Sequence, residues 1–237
     1  MKPEKQEFFN NFEPYCSIVE DGSAILYRYP SEYLKAELRM PTIRRIPVCP
    51  DNLVYIGFQN CRRTPDPAKT GKVVGFFLPD KRIECISNRP WHYVDLLRPY
   101  KYVFSPDFSC YVDMSKEEQQ MNIFRNRLVG SYLQECGIKV IPTASWSDPS
   151  SFDCCLLGIE HKSVIAVTSM GAVNNKRGYM AGFQALCERI EPEFVICYCS
   201  PLKEMHRYAN IVTLEHEGQR ARRSAHQYQL QNQLMLA

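Results

Sequence analysis

The chain has 237 residues, of which 45% are hydrophobic and 23% charged, and a net charge of +3. These values fit one large folded domain, or one domain with an appendage. The charge is too mild to imply a polyanion partner by itself, and no stretch approaches the roughly 20 apolar residues of a spanning helix, which excludes a membrane-spanning role.

Residues 1–50 carry mixed signals. SAILYRYP (23–30) reads as a strand ended by Pro30, and SEYLKAELRM (31–40) as a short helix capped by Ser31. Pro41, Pro47 and Pro50 punctuate an extended connection. LVYIGFQN (53–60) and KVVGFFLP (72–79) are strand-like, and the loop between them is too short and too broken for a crossover helix, so the pair reads as a hairpin. Residues 1–70 are assigned to a β-rich N-terminal appendage.

Strands and helices then alternate. NRPWHYVDLLRPY gives a brief helix with Asn88 as N-cap and Pro99 beyond its end. KYVF is a strand ended by Pro106. SKEEQQMNIFRNRLVGSYLQEC is the clearest helix. Ser115 and Glu118 form a capping box, Met121, Phe124, Leu128 and Tyr132 recur at three and four, and Gly137 stops it. IKVIP is a strand, SFDCCLLGI a short helix ended at Gly158, and SVIAVTS a strand. NKRGYMAGFQALCERIEP is a helix with Tyr179, Phe183, Leu186 and Ile190 on one face. FVICYCS, PLKEMHRYAN and IVTLEH complete the pattern as strand, short helix and strand.

The strands are rich in Val and Ile without polar alternation, as strands buried on both faces are. Helices between them give right-handed βαβ units. The expected fold is α/β, a mostly parallel sheet of about six strands with flanking helices over residues 71–216. It reads as doubly wound, with an incomplete barrel as the alternative if N-terminal strands join. Residues 217–237, with Arg220, Arg222 and Arg223, read as a polar tail.

Eleven cysteines and an N-terminus without the apolar run of a signal peptide argue for reduced thiols and a cytoplasmic location. Cys154–Cys155 and Cys197/Cys199 are the tightest groups. Neither has CxxC spacing, so they read as buried small apolar residues, and no metal ligand set is assigned.

In parallel sheets ligands bind outside the carboxyl ends of the strands. Those positions supply Ser105, Asp107 and Ser109, then Trp146 and Asp148, then Ser169 and Asn174. Asp107 is the lead candidate, as a base or metal ligand, against the plainer role of capping its own turn. Arg125 is placed as its charge partner, or as that of Asp113. Trp146 is placed as a stacking wall for a base or sugar, or as a packing lid. Phosphate-loop, dinucleotide, nucleophile-elbow and HExxH motifs are all missing, which weighs against P-loop hydrolysis, α/β-hydrolase chemistry and zinc proteolysis.

From about Gly75 to Leu214 the chain closely resembles the family known as domain of unknown function 4417, found in Gram-positive bacteria, their phages and plasmids. The resemblance rests on SPDFS (105–109), Tyr111, Asp113-Met114, Arg125-Asn126-Arg127, Gly130, Leu133-Gln134, Gly137-Ile138, Pro142, Trp146, Phe152, Gly158-Ile159 and Gly171. The chain departs from it at Ser115, where the family often has Pro, and at CYCSP, where a glycine-containing end such as YGS is common. The resemblance implies a mobile-element context, and by association replication, maintenance or conflict with host defences.

Two function classes follow. One is an enzyme or ligand-binding domain for a nucleotide or nucleic acid, with Asp107 as base, Arg125 as charge partner and Trp146 as wall, and with Mg²⁺ as the ion suited to a carboxylate facing phosphate. The other is a non-catalytic inhibitor or sequestering protein whose partner is a host or phage protein. Convergence of Asp107, Ser109, Trp146 and Ser169 on one cavity favours the first.

Overall fold

The computed structural model describes residues 40–63 and 69–215. The strand expected at 23–30, the helix expected at 31–40 (apart from Met40) and the tail 217–237 lie outside the described residues.

Among the described residues seven short strands carry the fold: β1 (Val54–Gly57), β2 (Lys72–Gly75), β3 (Tyr102–Phe104), β4 (Val140–Ile141), β5 (Ile165–Thr168), β6 (Val195–Tyr198) and β7 (Ile211–Leu214). β1 to β4 form one parallel ladder and β5 to β7 another, each in chain order. A parallel bridge between Thr143 and Ala166 links the ladders, with Ala166 N donating to Pro142 O (2.9 Å) and Ala144 N to Ala166 O (3.1 Å). The α/β class and the parallel sheet are therefore as the sequence predicts.

The sheet curls. Tyr55 on β1 stacks on Tyr198 of β6 with ring centroids 4.2 Å apart, and Phe77 stacks on the same ring at 5.1 Å. In a flat sheet, strands five places apart would be separated by about 24 Å. The inner face, with Tyr55, Val73, Tyr102, Phe104, Ile141, Ala166 and Ile196, packs against itself. The outer residues of the same strands, such as Val74, Val103 and Val140, pack under helices. Both faces are buried along β3 to β6, which is why those strands read as continuous apolar runs, while β7 at the edge exposes Thr213.

A doubly wound sheet reverses its strand order and puts helices on both faces. Here the order never reverses, and helix residues join only the two outer clusters. Each crossover between parallel neighbours advances the sheet in the same direction, so the arrangement is the incomplete barrel. It is not closed: among the described residues no ladder joins β1 to β7. The hairpin expected of β1 and β2 is corrected too. Their register is parallel, Val54 opposite Lys72, and the connection contains 3₁₀ turns at Phe58–Arg63 and Lys69–Gly71 that carry the chain back to the start of the sheet.

Among the described residues five helices cover the outside: α1 (Asp80–Asn88), α2 (Val94–Leu97), α3 (Lys116–Glu135), α4 (Phe152–Cys155) and α5 (Lys176–Ile190). α1 escapes the sequence pattern because its buried residues are few, chiefly Ile83 and Ile86, and Asn88 ends it rather than capping α2. α3 begins as predicted: Glu118 N donates to Ser115 Oγ (3.2 Å) and Ser115 N to Glu118 Oε2 (2.9 Å). Gly137 follows it with φ +79°, a conformation a side chain would strain. Ile123 of α3 enters one outer cluster and Leu128, Val129 and Leu133 the other, so this helix bridges both. Each of those side chains contributes about 1.5–3 kcal/mol on burial. No described helix is long and apolar enough to cross a membrane.

Candidate functional site

Parallel strands point their carboxyl ends the same way, so the loops after β2, β3, β4 and β5 meet at one rim. They enclose a cleft of about 530 Å³, lined by Phe77–Pro79, Asp107–Val112, Ala144–Ser147, Thr168, Met170–Ala172, and Asn175 and Tyr179 at the start of α5.

Asp107 follows Pro106, which ends β3 in a tight turn. Its Oδ1 is buried and has no hydrogen-bond partner. Burial pushes the carboxyl from its ordinary value near 3.8 up to about 7. The Ser145 hydroxyl and the Arg127 charge hold it down, while the Asp80 charge adds to the rise. Oδ1 is thus not engaged as a cap of its own turn. Asp148 does that job elsewhere, its Oδ1 accepting from Ser150 N (2.8 Å) and Ser150 Oγ (2.7 Å). A buried acceptor left unmade costs about 1–3 kcal/mol, so a native fold that keeps one calls for an explanation.

Tyr179 supplies a second such atom: its hydroxyl is buried without a partner. Burial, then the neighbouring Cys197 and Asp107, hold the phenol well above its usual range. Trp146 donates from Nε1 to Tyr179 O (3.2 Å), and the two rings lie 5.1 Å apart. A Cβ on Gly182 would meet the Trp146 ring at 2.2 Å, so glycine there lets the indole lie flat on α5 as a fixed wall.

Asp107, Ser109 and Trp146 are brought together in the lining. Ser109 is already engaged: its N and Oγ both donate to the Asp80 carboxylate (2.8–3.2 Å), and its carbonyl accepts from Asn122 Nδ2 (2.8 Å). Ser105, Ser169, Asp148 and Asn174 are not among the lining residues. Ser105 Oγ accepts from Thr143 N (2.8 Å) and joins β3 to the end of β4. Ser169 N and Oγ donate to Tyr198 O and join β5 to β6. Asn174 is exposed, while its neighbour Asn175 lines the cleft and caps α5 through Gly178 N (3.1 Å).

Arg125 donates from Nε to Ser87 Oγ (3.0 Å) and stacks on Phe108 at 4.1 Å, bracing the wall from behind. The cation whose field reaches Asp107 is Arg127. It is fully buried, with Nε on Leu157 O (2.8 Å), one terminal nitrogen on Asn126 Oδ1 (2.7 Å) and Thr143 O (3.0 Å), and the other on Cys155 O (2.7 Å). Burial lowers its pKa to about 10 even though the nearby Cys155, Cys154 and Asp107 support the charge. Sequence reasoning passes over Arg127 because arginine is rarely fully buried. It misses Tyr179 because an apolar helix face does not say where a phenol tip ends.

Mg²⁺ does not fit this donor set. A hard cation takes ionised oxygens, whereas the cleft offers one carboxyl held toward its neutral form, and Asp80 is engaged by Ser109. No group of three or more His, Cys, Asp or Glu suited to a metal occurs among the described residues. Tyr111, Val112 and Met170 stand exposed at the mouth.

A profile of the family described as domain of unknown function DUF4417 matches residues 32–216. The chain is similar to the Gene 1 protein of Mycobacterium phage L5, 36% identical over 148 residues that cover 61% of this chain and 65% of that protein. It is also similar to the Gene 1 protein of Mycobacterium phage D29, 32% identical over 162 residues that cover 67% of this chain and 59% of that protein. The chain thus spans less than two thirds of the length of either relative. No solved structure matches.

Proposed function

The chain belongs to the DUF4417 family, a phage-associated domain of unknown function, and we propose that it binds a nucleotide or nucleic acid in the rim cleft and acts on it through Asp107 as a general acid–base. The observation that carries this reading is the Asp107 Oδ1, buried without a hydrogen-bond partner on a residue that lines that cleft. A group with a pKa near the working pH offers and accepts a proton with comparable ease, and a perturbed carboxyl in a cleft is a recognised mark of a functional site. Trp146, Phe77 and Phe108 give the cleft flat apolar walls suited to a planar ring. The phage context favours a role in replication or maintenance of the element.

The test is mass spectrometry of what is released when the purified full chain is denatured, repeated on Asp107→Ala. A nucleotide or oligonucleotide present with the native chain and lost from the variant supports the reading. The same bound species in both counts against it. A second reading draws on the exposed Tyr111, Val112 and Met170 at the mouth, since clustered surface apolar residues mark protein contacts. On that reading the chain sequesters a host or phage protein, and a tight stoichiometric protein complex unaffected by Asp107→Ala would favour it.

A further inference from the structure

We infer that the group entering the cleft is an uncharged nucleobase edge with a ring nitrogen beside an amino group, as in adenine, cytosine or guanine, and that any phosphate stays outside. This rests on the reading of the cleft as a nucleotide or nucleic-acid site.

Among the described residues, the lining contains no Lys, Arg or His. A phosphate inside would lose its water beside a carboxyl with no cation to replace it. Arg127 does not supply that cation: its guanidinium is absent from the lining and donates to four protein acceptors. The cations next in sequence to the wall, Lys176 and Arg177, line a separate shallow groove with Tyr208. Two buried polar atoms on lining residues lack partners, Asp107 Oδ1 and Tyr179 Oη, and the Asp107 charge helps to raise the Tyr179 pKa.

A carboxyl matches an amidine-like edge in either protonation state. As the acid it donates to a ring nitrogen and accepts from the amino group, and as the carboxylate it accepts from two N–H groups. The Tyr179 phenol, on another lining residue within its electrostatic reach, supplies one more donor or acceptor. Aromatic walls stack a ring of any sequence, and enzymes that take up a single base read it in this way, by edge bonds between stacked faces. The volume, about 530 Å³, lies within the range of about 300–1,000 Å³ usual for small-ligand sites.

The test is isothermal titration calorimetry of the full chain with adenosine, cytidine, guanosine and uridine, their monophosphates, ribose phosphate, inorganic phosphate and a short single strand. One amino-bearing nucleoside should bind within about tenfold of its monophosphate, with Asp107→Ala and Tyr179→Phe each weakening it by about tenfold. Adenosine or cytidine should bind better at about pH 6 than at about pH 8, guanosine the reverse, and Asp107→Asn should abolish that dependence, which a purely structural role would not. A monophosphate bound more than about tenfold tighter than its nucleoside, ribose phosphate competing as well as any nucleotide, or uridine binding best would overturn the inference and leave the site reading standing. Failure of every nucleoside, nucleotide and single strand to bind would overturn both.

Discussion

Replacing Asp107 by asparagine should stabilise the protein above neutral pH. In the unfolded chain this carboxyl ionises near its ordinary 3.8, and in the fold near 7. Between those values the folded state holds a proton that the unfolded state has lost. The stabilisation from that proton is complete below about pH 4 and is lost as pH rises through about 7. At about 1.36 kcal/mol per pH unit the full displacement is worth about 4 kcal/mol, and water reaching the partly exposed side chain trims it to about 2–4 kcal/mol. Asparagine stays neutral. Its carbonyl can take the place of Oδ1 while its amide turns to Ser145 Oγ, so no new donor is stranded. Thermal melts of both proteins should coincide near pH 4 and separate by about 5–15 °C at about pH 8, the variant being the more stable. Equal melting at the higher pH, or a gap that ignores pH, would refute the reasoning.

Changes at three further positions probe what holds the carboxyl in place. Gly182→Ala should gain about 1 kcal/mol from helix propensity, but its Cβ at 2.2 Å from Trp146 should instead cost about 1–3 kcal/mol and shift the tryptophan emission; unchanged emission and stability would contradict the close contact. Arg127→Met strands four acceptors and should cost about 3–5 kcal/mol in urea unfolding. Arg127→Lys should recover little of that loss, because one ammonium cannot span Leu157, Cys155 and Thr143. Asp80→Asn should lower the Asp107 pKa below its starting value, because the Asp80 charge helps raise it; a rise would show that the two carboxyls are not facing.

Local signals in the sequence are clear wherever the cause is local. The capping box at Ser115 and Glu118, the stop at Gly137 and the apolar face of α5 each depend on residues within a few positions, and each appears in the fold. The strands are legible from their Val and Ile runs, and the place of the cleft follows from the rule for strand ends. The remainder depends on contacts distant in sequence. Nothing in FQNCRR announces that the chain turns back to lay β1 parallel to β2. Asp80 reaches Ser109 across 29 positions, which turns a predicted ligand residue into a tether. The pattern RNR reads as a polar break in α3, yet its first arginine braces Phe108 from behind and its second is fully buried under α4. A helix of two turns with two buried isoleucines, α1, falls below what periodicity detects.

The most direct measurement is a carbon NMR titration of the side-chain carboxyl of Asp107 in the ligand-free protein. The account predicts a midpoint at about 7, with Asp148 remaining below the ordinary carboxylate range because Ser150 bonds to its charged form. A midpoint for Asp107 near 3.8, the ordinary value, would mean that the carboxyl is solvated or paired, and would remove the basis for an acid–base site at the end of β3.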